Sequence, residues 1–149
     1  MQTNLCRCGV LAATFLTALS GQFAGNLSPA GRWKTVDDKT GLVRGIVRIY
    51  EEHGALFGKI EAALKDGEEK EHCDLCRDER KGKPIIGLLV LRGLRKQGDE
   101  YGGGDILDPD TGIVYRCKLR LLDEGKRLLV RGYMFAPILG RSQIWVREQ

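Results

Sequence analysis

The chain is poor in the residues that nucleophilic and metal chemistry need. It has two histidines, and past residue 24 only two serines, Ser28 and Ser142. Neither serine stands in the Gly-x-Ser-x-Gly elbow that exposes a hydrolase nucleophile. His53 sits in the polar stretch "EEHG", where a solvated imidazole is the ordinary expectation. Helical periodicity is also missing: past residue 24, no stretch repeats apolar residues at three- and four-residue spacing, which excludes a helical bundle. No apolar run there approaches the ~20 residues that a membrane-spanning helix requires. The glycine-rich "YGGGD" does not lead into a helix, so it lacks the setting that cradles a phosphate. The formal net charge is only +4, and the 24 basic and 20 acidic residues are interleaved along the chain. That pattern is a solvated surface, without the clustered basic face of a nucleic-acid binder.

What is present begins with the N-terminus, MQTNLCRCGVLAATFLTALSGQFAG. Arg7 is its only charged side chain, a short apolar run follows from Val10 to Leu19, and small residues come next. This order predicts a secretory signal peptide over 1–24, cleaved after Ser20 or Ala24, and a single domain over 25–149. The expected address is exported, periplasmic or secreted, with no stable membrane span in the mature form. Cys6 and Cys8 would leave with the signal, and Cys73, Cys76 and Cys117 would remain.

Turn signals recur about every ten residues, and the runs between them are rich in Val, Ile, Leu, Tyr and Trp, an all-β signature. The predicted strands are Gly31–Val36, Leu42–Tyr50, Ala55–Ala62, Leu88–Arg95, Tyr101–Leu107, Ile113–Leu122, Arg127–Tyr133 and Arg141–Arg147. A long charged loop, Leu64–Lys83, interrupts the series, and "PIIG" after it has the makings of one short helical turn. Two strands show their faces by period-two alternation. Ile113, Tyr115, Cys117, Leu119 and Leu121 share one face, and Val43, Val47 and Ile49 lie opposite Arg44 and Arg48. Eight strands in a meander remove their edges best by closing into an up-and-down antiparallel barrel. A two-sheet sandwich would need crossovers, for which only the loop at 64–83 is long enough. The expected interior is lined by Trp33, Val43, Val47, Ile49, Leu56, Ile60, Tyr115, Leu119, Leu121, Leu128 and Val130. Gly45, Gly58 and Gly132 on the same face leave space. The pattern leaves open whether this interior is packed or hollow.

Several segments together resemble a family of small exported bacterial proteins, domain-of-unknown-function family 2147. They are "GRW" at 31–33, "CDLCRDERKGKPIIGL", "GGGDILDPDTGIVYRCKL", "VRGY" and "ILGRSQIW", in this order and spacing across residues 30–149. The resemblance implies a lipocalin-like barrel and an exported address, and no reaction. Gly31-Arg32-Trp33 also looks like the Gly-x-Trp pattern of lipocalins, whose tryptophan plugs one barrel end beneath an arginine of the last strand. Carried over, Trp33 is the plug and Arg141 its expected partner.

"EHCDLC" admits three chemistries. A structural zinc site needs four ligands, typically two close pairs, and here His72, Cys73 and Cys76 have no second pair. Covalent haem attachment needs a histidine after the second cysteine, where Arg77 stands. Thioredoxin-like redox chemistry places the cysteine at a helix N-terminus in a βαβ setting, whereas this pair lies among Glu71, Asp74, Asp78 and Glu79. An oxidising address favours a Cys73–Cys76 disulfide. Cys117, on the inward face of its strand, is expected to be a buried small apolar residue. Asp105, Asp108 and Asp110 miss the EF-hand spacing, since Asp110 holds the sixth position and Arg116 the twelfth. "DPDTG" reads as a hairpin turn. No metal and no cofactor are expected. The functional expectation is a non-enzymatic barrel that carries a small apolar ligand, such as a lipid or fatty acid. The alternative is an envelope module with a packed interior that docks another envelope protein through "MFAPILG", residues 134–140.

Overall fold

A computed structural model of the chain describes residues 27–64 and 71–149. The expected signal segment over 1–24, with Cys6 and Cys8, lies outside the described residues, as does the middle of the long charged loop. The strands are β1 (Gly31–Val36), β2 (Val43–Glu52), β3 (Ala55–Ala63) and β4 (Leu89–Gln97), then β5 (Glu100–Asp108), β6 (Ile113–Leu122), β7 (Arg127–Tyr133) and β8 (Arg141–Arg147). Each pairs antiparallel with the next, and β1 closes on β8, giving the up-and-down barrel that the meander implied. "PIIG" forms a single turn, closed by a bond from the Leu88 N–H to the Ile85 carbonyl.

Local chemistry sets the connections. His53 and Gly54 both have positive φ, the geometry of a two-residue hairpin turn, and the His53 side chain is solvated. In "DPDTG", the Asp108 carboxylate accepts the Asp110 N–H and the Gly112 N–H returns to the Asp108 carbonyl. "YGGGD" breaks register on β5 between Tyr101 and Gly104. A side chain at Gly104 would sit 2.1 Å from the Arg92 carbonyl oxygen, so the close approach of β4 requires glycine there.

Strand β2 departs from simple alternation. Ile46 and Val47 are consecutive yet both buried, beside a register shift that leaves Glu61 of β3 without a partner. Against β1 the register skips Arg44, an extra residue that puts the start of β2 out of phase, so Val43, expected inside, is 40% exposed.

The barrel has two unlike ends. The turns 53–54, 98–99 and 123–126, the 28–30 segment and the C-terminus gather at one, and the loops 37–42, 71–88, 109–112 and 134–140 gather at the other, the long-loop end. The short-turn end is packed solid. Trp33, Ile49, Leu56, Leu91, Leu94, Leu119 and Leu128 are all fully buried there, each such side chain stabilising the fold by about 1.5–3 kcal/mol. The Trp33 indole donates to the Pro29 carbonyl at 2.8 Å. The guanidinium over its ring, 4.2 Å from the centroid, belongs to Arg147. Arg147 also donates to the carbonyls of Gly125, Ala30 and Ser28 at 2.6, 2.9 and 2.9 Å.

This corrects the expected Trp33–Arg141 pairing. Strand β8 starts at Arg141 beside the long loops and ends at Arg147 beside Trp33. Six residues at a rise of about 3.3 Å put Arg141 about 20 Å from the tryptophan end. Arg141 instead forms an ion pair with Asp38 in the 37–42 loop.

Candidate functional site

At the long-loop end the barrel is hollow. A cavity of about 1060 Å³ opens between the four long loops and descends to a floor that includes Val47, Ile60, Val90, Ile106, Val130 and Trp145. Its walls also carry Ile46, Leu107 and the polar side chains Thr35, Tyr115, Tyr133 and Gln143. The Thr35 hydroxyl donates to the Gly45 carbonyl, and the Gln143 amide oxygen accepts the Trp145 indole N–H at 3.1 Å. Gly45 and Gly132 line the cavity, and their missing side chains widen it.

Of the interior residues proposed from sequence, Val47, Ile60, Tyr115 and Val130 face this cavity. Trp33, Ile49, Leu56, Leu119 and Leu128 do not: they pack against one another in the solid half, where the plugging indole leaves no void. As ligand contacts these five are corrected to core. Alternation missed Val90, Ile106, Leu107, Gln143 and Trp145. Their strands are short or interrupted by glycine, and β4 and β5 carry register shifts that blur the two-residue period.

One wall of the mouth is the strap of residues 71–88. Cys73 and Cys76 are disulfide-bonded, with Cα atoms 5.4 Å apart, and both sulfurs are buried in the hydrophobic core. The strap is held to itself by bonds from the Cys73 N–H to the Lys83 carbonyl and from the Ile85 N–H to the Glu71 carbonyl. It is held to the barrel by arginines. Arg80 is only 2% exposed; it pairs with Asp78 and donates to the Leu89 carbonyl at 3.0 Å. These bonds hold the Asp78 carboxyl down at about 2. Arg92 on β4 grips Asp105 of β5 through two bonds, 3.0 and 3.2 Å, and reaches Glu79 at 2.7 Å. On the other side, the strap presses on the 109–112 turn: a side chain at Gly112 would fall 1.8 Å from the Leu75 carbonyl oxygen.

A collar of exposed apolar side chains surrounds the mouth. Phe135 and Ile138 are 85% and 84% exposed, and Leu139, Met134, Leu75, Leu64 and Leu42 join them. The free cysteine Cys117 lies fully buried in β6, where burial raises its thiol pKa well above the ordinary range. Among the described residues, no three His, Cys, Asp or Glu side chains converge as a metal site.

The model of a family described as an uncharacterized protein conserved in bacteria (DUF2147) matches residues 31–147, the whole barrel. The chain belongs to this family. Among solved structures it is similar to protein HP1028 from Helicobacter pylori, which is described as belonging to the lipocalin family. The two share a TM-score of 0.71 and 18% identity over 83% of this chain and 84% of that one. At that identity the shared property is the lipocalin-like fold. No curated protein matches the sequence.

Proposed function

We propose that this DUF2147 protein is an exported, non-enzymatic barrel that holds a small apolar ligand, lipid-like in character, in its open half. Residues 1–24 are the segment removed on export, and the domain that acts is 25–149. The cavity carries this reading: its volume of about 1060 Å³ is just above the roughly 300–1,000 Å³ of small-molecule pockets, ample for one ligand. Its floor is apolar, as a site for a hydrocarbon chain must be, and Trp33 and Arg147 close the far end. The disulfide-bonded strap agrees with an oxidising compartment.

Native mass spectrometry of mature protein taken from periplasm without detergent tests the reading. A reproducible added mass that disappears on denaturation supports a carrier. A direct binding test uses N-phenyl-1-naphthylamine, a neutral apolar fluorophore. Gly132 lines the cavity, and a side chain there meets Ile106 and Tyr115 at an ordinary 3.5 Å. Gly132→Leu should fill the void and lower probe affinity at least tenfold, while Gly132→Ala binds nearly as the parent does. Equal binding by all three would remove the interior-ligand reading.

The exposed loop 134–140 supports a second reading, an envelope module that docks a partner protein there. Phe135→Ser with Ile138→Ser should then abolish partner cross-linking and leave probe binding untouched.

A further inference from the structure

We propose that the ligand of this cavity is a cationic amphiphile, an apolar chain ending in an amine or ammonium group; the inference rests on the interior-ligand reading above. The cavity divides by chemistry along its depth. Among the described residues, its floor holds no charged side chain, and its mouth is lined by five carboxylates, Asp37, Glu71, Asp74, Asp108 and Asp110, against two arginines, Arg44 and Arg141.

Both arginines are already engaged. Arg44 lies 3.1 Å from Asp110 and 3.7 Å from Asp37. Arg141 is held by Asp38, outside the cavity wall. An anionic head group would have to break one of these pairs or stand among the carboxylates. A cationic head group meets the opposite situation. Glu71, Asp74 and Asp108 line the mouth and form no ion pair among the described residues. Glu71 and Asp74 come from the strap and Asp108 from the end of β5, two neighbouring segments of the rim.

Surface acids on their own would hold nothing. Here they ring the entrance to an apolar cavity, so one molecule can place its chain on Val130 and Trp145 and its charge at the rim. Opposite charges near a low-dielectric wall attract more strongly than in open water, and the preference should weaken as salt screens the solvated rim.

The test uses the mature protein and three probes with the same chain: dodecylammonium, dodecanol and dodecanoate, each below its micelle concentration. Each is titrated against bound N-phenyl-1-naphthylamine at low and high salt. The expected order is dodecylammonium tightest, dodecanol intermediate and dodecanoate weakest, with at least tenfold between the charged pair at low salt. In E71Q/D74N/D108N the preference should collapse while dodecanol affinity is retained; asparagine at 108 keeps the acceptor for the Asp110 N–H. Dodecanoate binding as tightly as dodecylammonium would overturn the cationic inference and leave the interior-ligand reading standing. An ammonium preference that survives in the triple variant would also overturn it. If neither the fluorophore nor any of the three chains binds, both readings fall together.

Discussion

Arg147 ties together three segments that are distant in the chain, so its removal makes a demanding test of how the solid end is held. Its guanidinium donates to the carbonyls of Ser28, Ala30 and Gly125 and lies over the Trp33 indole. Those carbonyls recover water when the donor is lost, so each bond is worth about 1 kcal/mol, the typical net value of a hydrogen bond. The cation over the indole adds about 0.5–2 kcal/mol. Replacing the side chain by methionine keeps most of the packing and should therefore destabilise the barrel by about 3.5–5 kcal/mol, a large share of the roughly 5–15 kcal/mol typical of a domain. With a urea dependence of about 1–3 kcal/mol per molar, the unfolding midpoint falls by roughly 1–5 M. Arg147→Lys keeps the charge but cannot span three carbonyls, so it should fall between parent and methionine variant. Arg141→Met is the control, because its pair with Asp38 is solvated and should leave the midpoint almost unmoved. The assay is equilibrium urea unfolding followed by tryptophan emission, which reports on Trp33 and Trp145. A drop for Arg147→Met no larger than that for Arg141→Met would refute the plug argument.

The mouth strap and the buried cysteine yield four more expectations. Gly112→Ala combines a positive φ of 69° with a contact of 1.8 Å to the Leu75 carbonyl oxygen. It should displace the strap, with amide shifts across residues 71–88 and a lower unfolding temperature; an unshifted spectrum would contradict the packing. Removing the short-loop disulfide in C73S/C76S should cost about 2 kcal/mol by chain entropy, read as a lower urea midpoint. In the parent, thiol titration should find Cys117 unreactive while folded and a single reactive thiol after unfolding of the mature protein. The Asp78 carboxyl is lowered from 3.8 to about 2, chiefly by the Arg80 bonds. A depressed folded value means that its stabilisation is complete above about 4 and is lost as pH falls through about 2. Asp78→Asn should therefore flatten the acid limb of the stability profile over that window, and an unchanged limb would show that the pair does not hold the strap.

Much of the architecture was legible in the residues, because turn chemistry and alternation are local. His53-Gly54, "DPDTG" and the glycines of "YGGGD" each mark a place where the backbone must turn or bulge, whatever lies across the sheet. The reading failed where the outcome depends on a neighbouring strand. Alternation placed Val43 inside because it could not register the extra residue at Arg44, which pairing with β1 reveals. The lipocalin resemblance pointed to Arg141 rather than Arg147, since both lie on the last strand and only closure of the barrel shows which end faces Trp33. The sequence reading treated the acids and arginines of the strap as a solvated loop, although Arg80 is buried against Asp78 and Arg92 clamps Glu79.

By itself, then, the order of residues determined the all-β meander, its closure and the staple at Cys73 and Cys76, since these follow from short-range geometry and a two-residue period. The tertiary structure alone decided which half of the interior is filled and which is hollow. That division depends on the side chains of eight strands meeting at each level of the barrel, together with one indole and one guanidinium sealing a single end. It also depends on charges from separate loops converging at the other end, and no local pattern in the chain encodes that convergence.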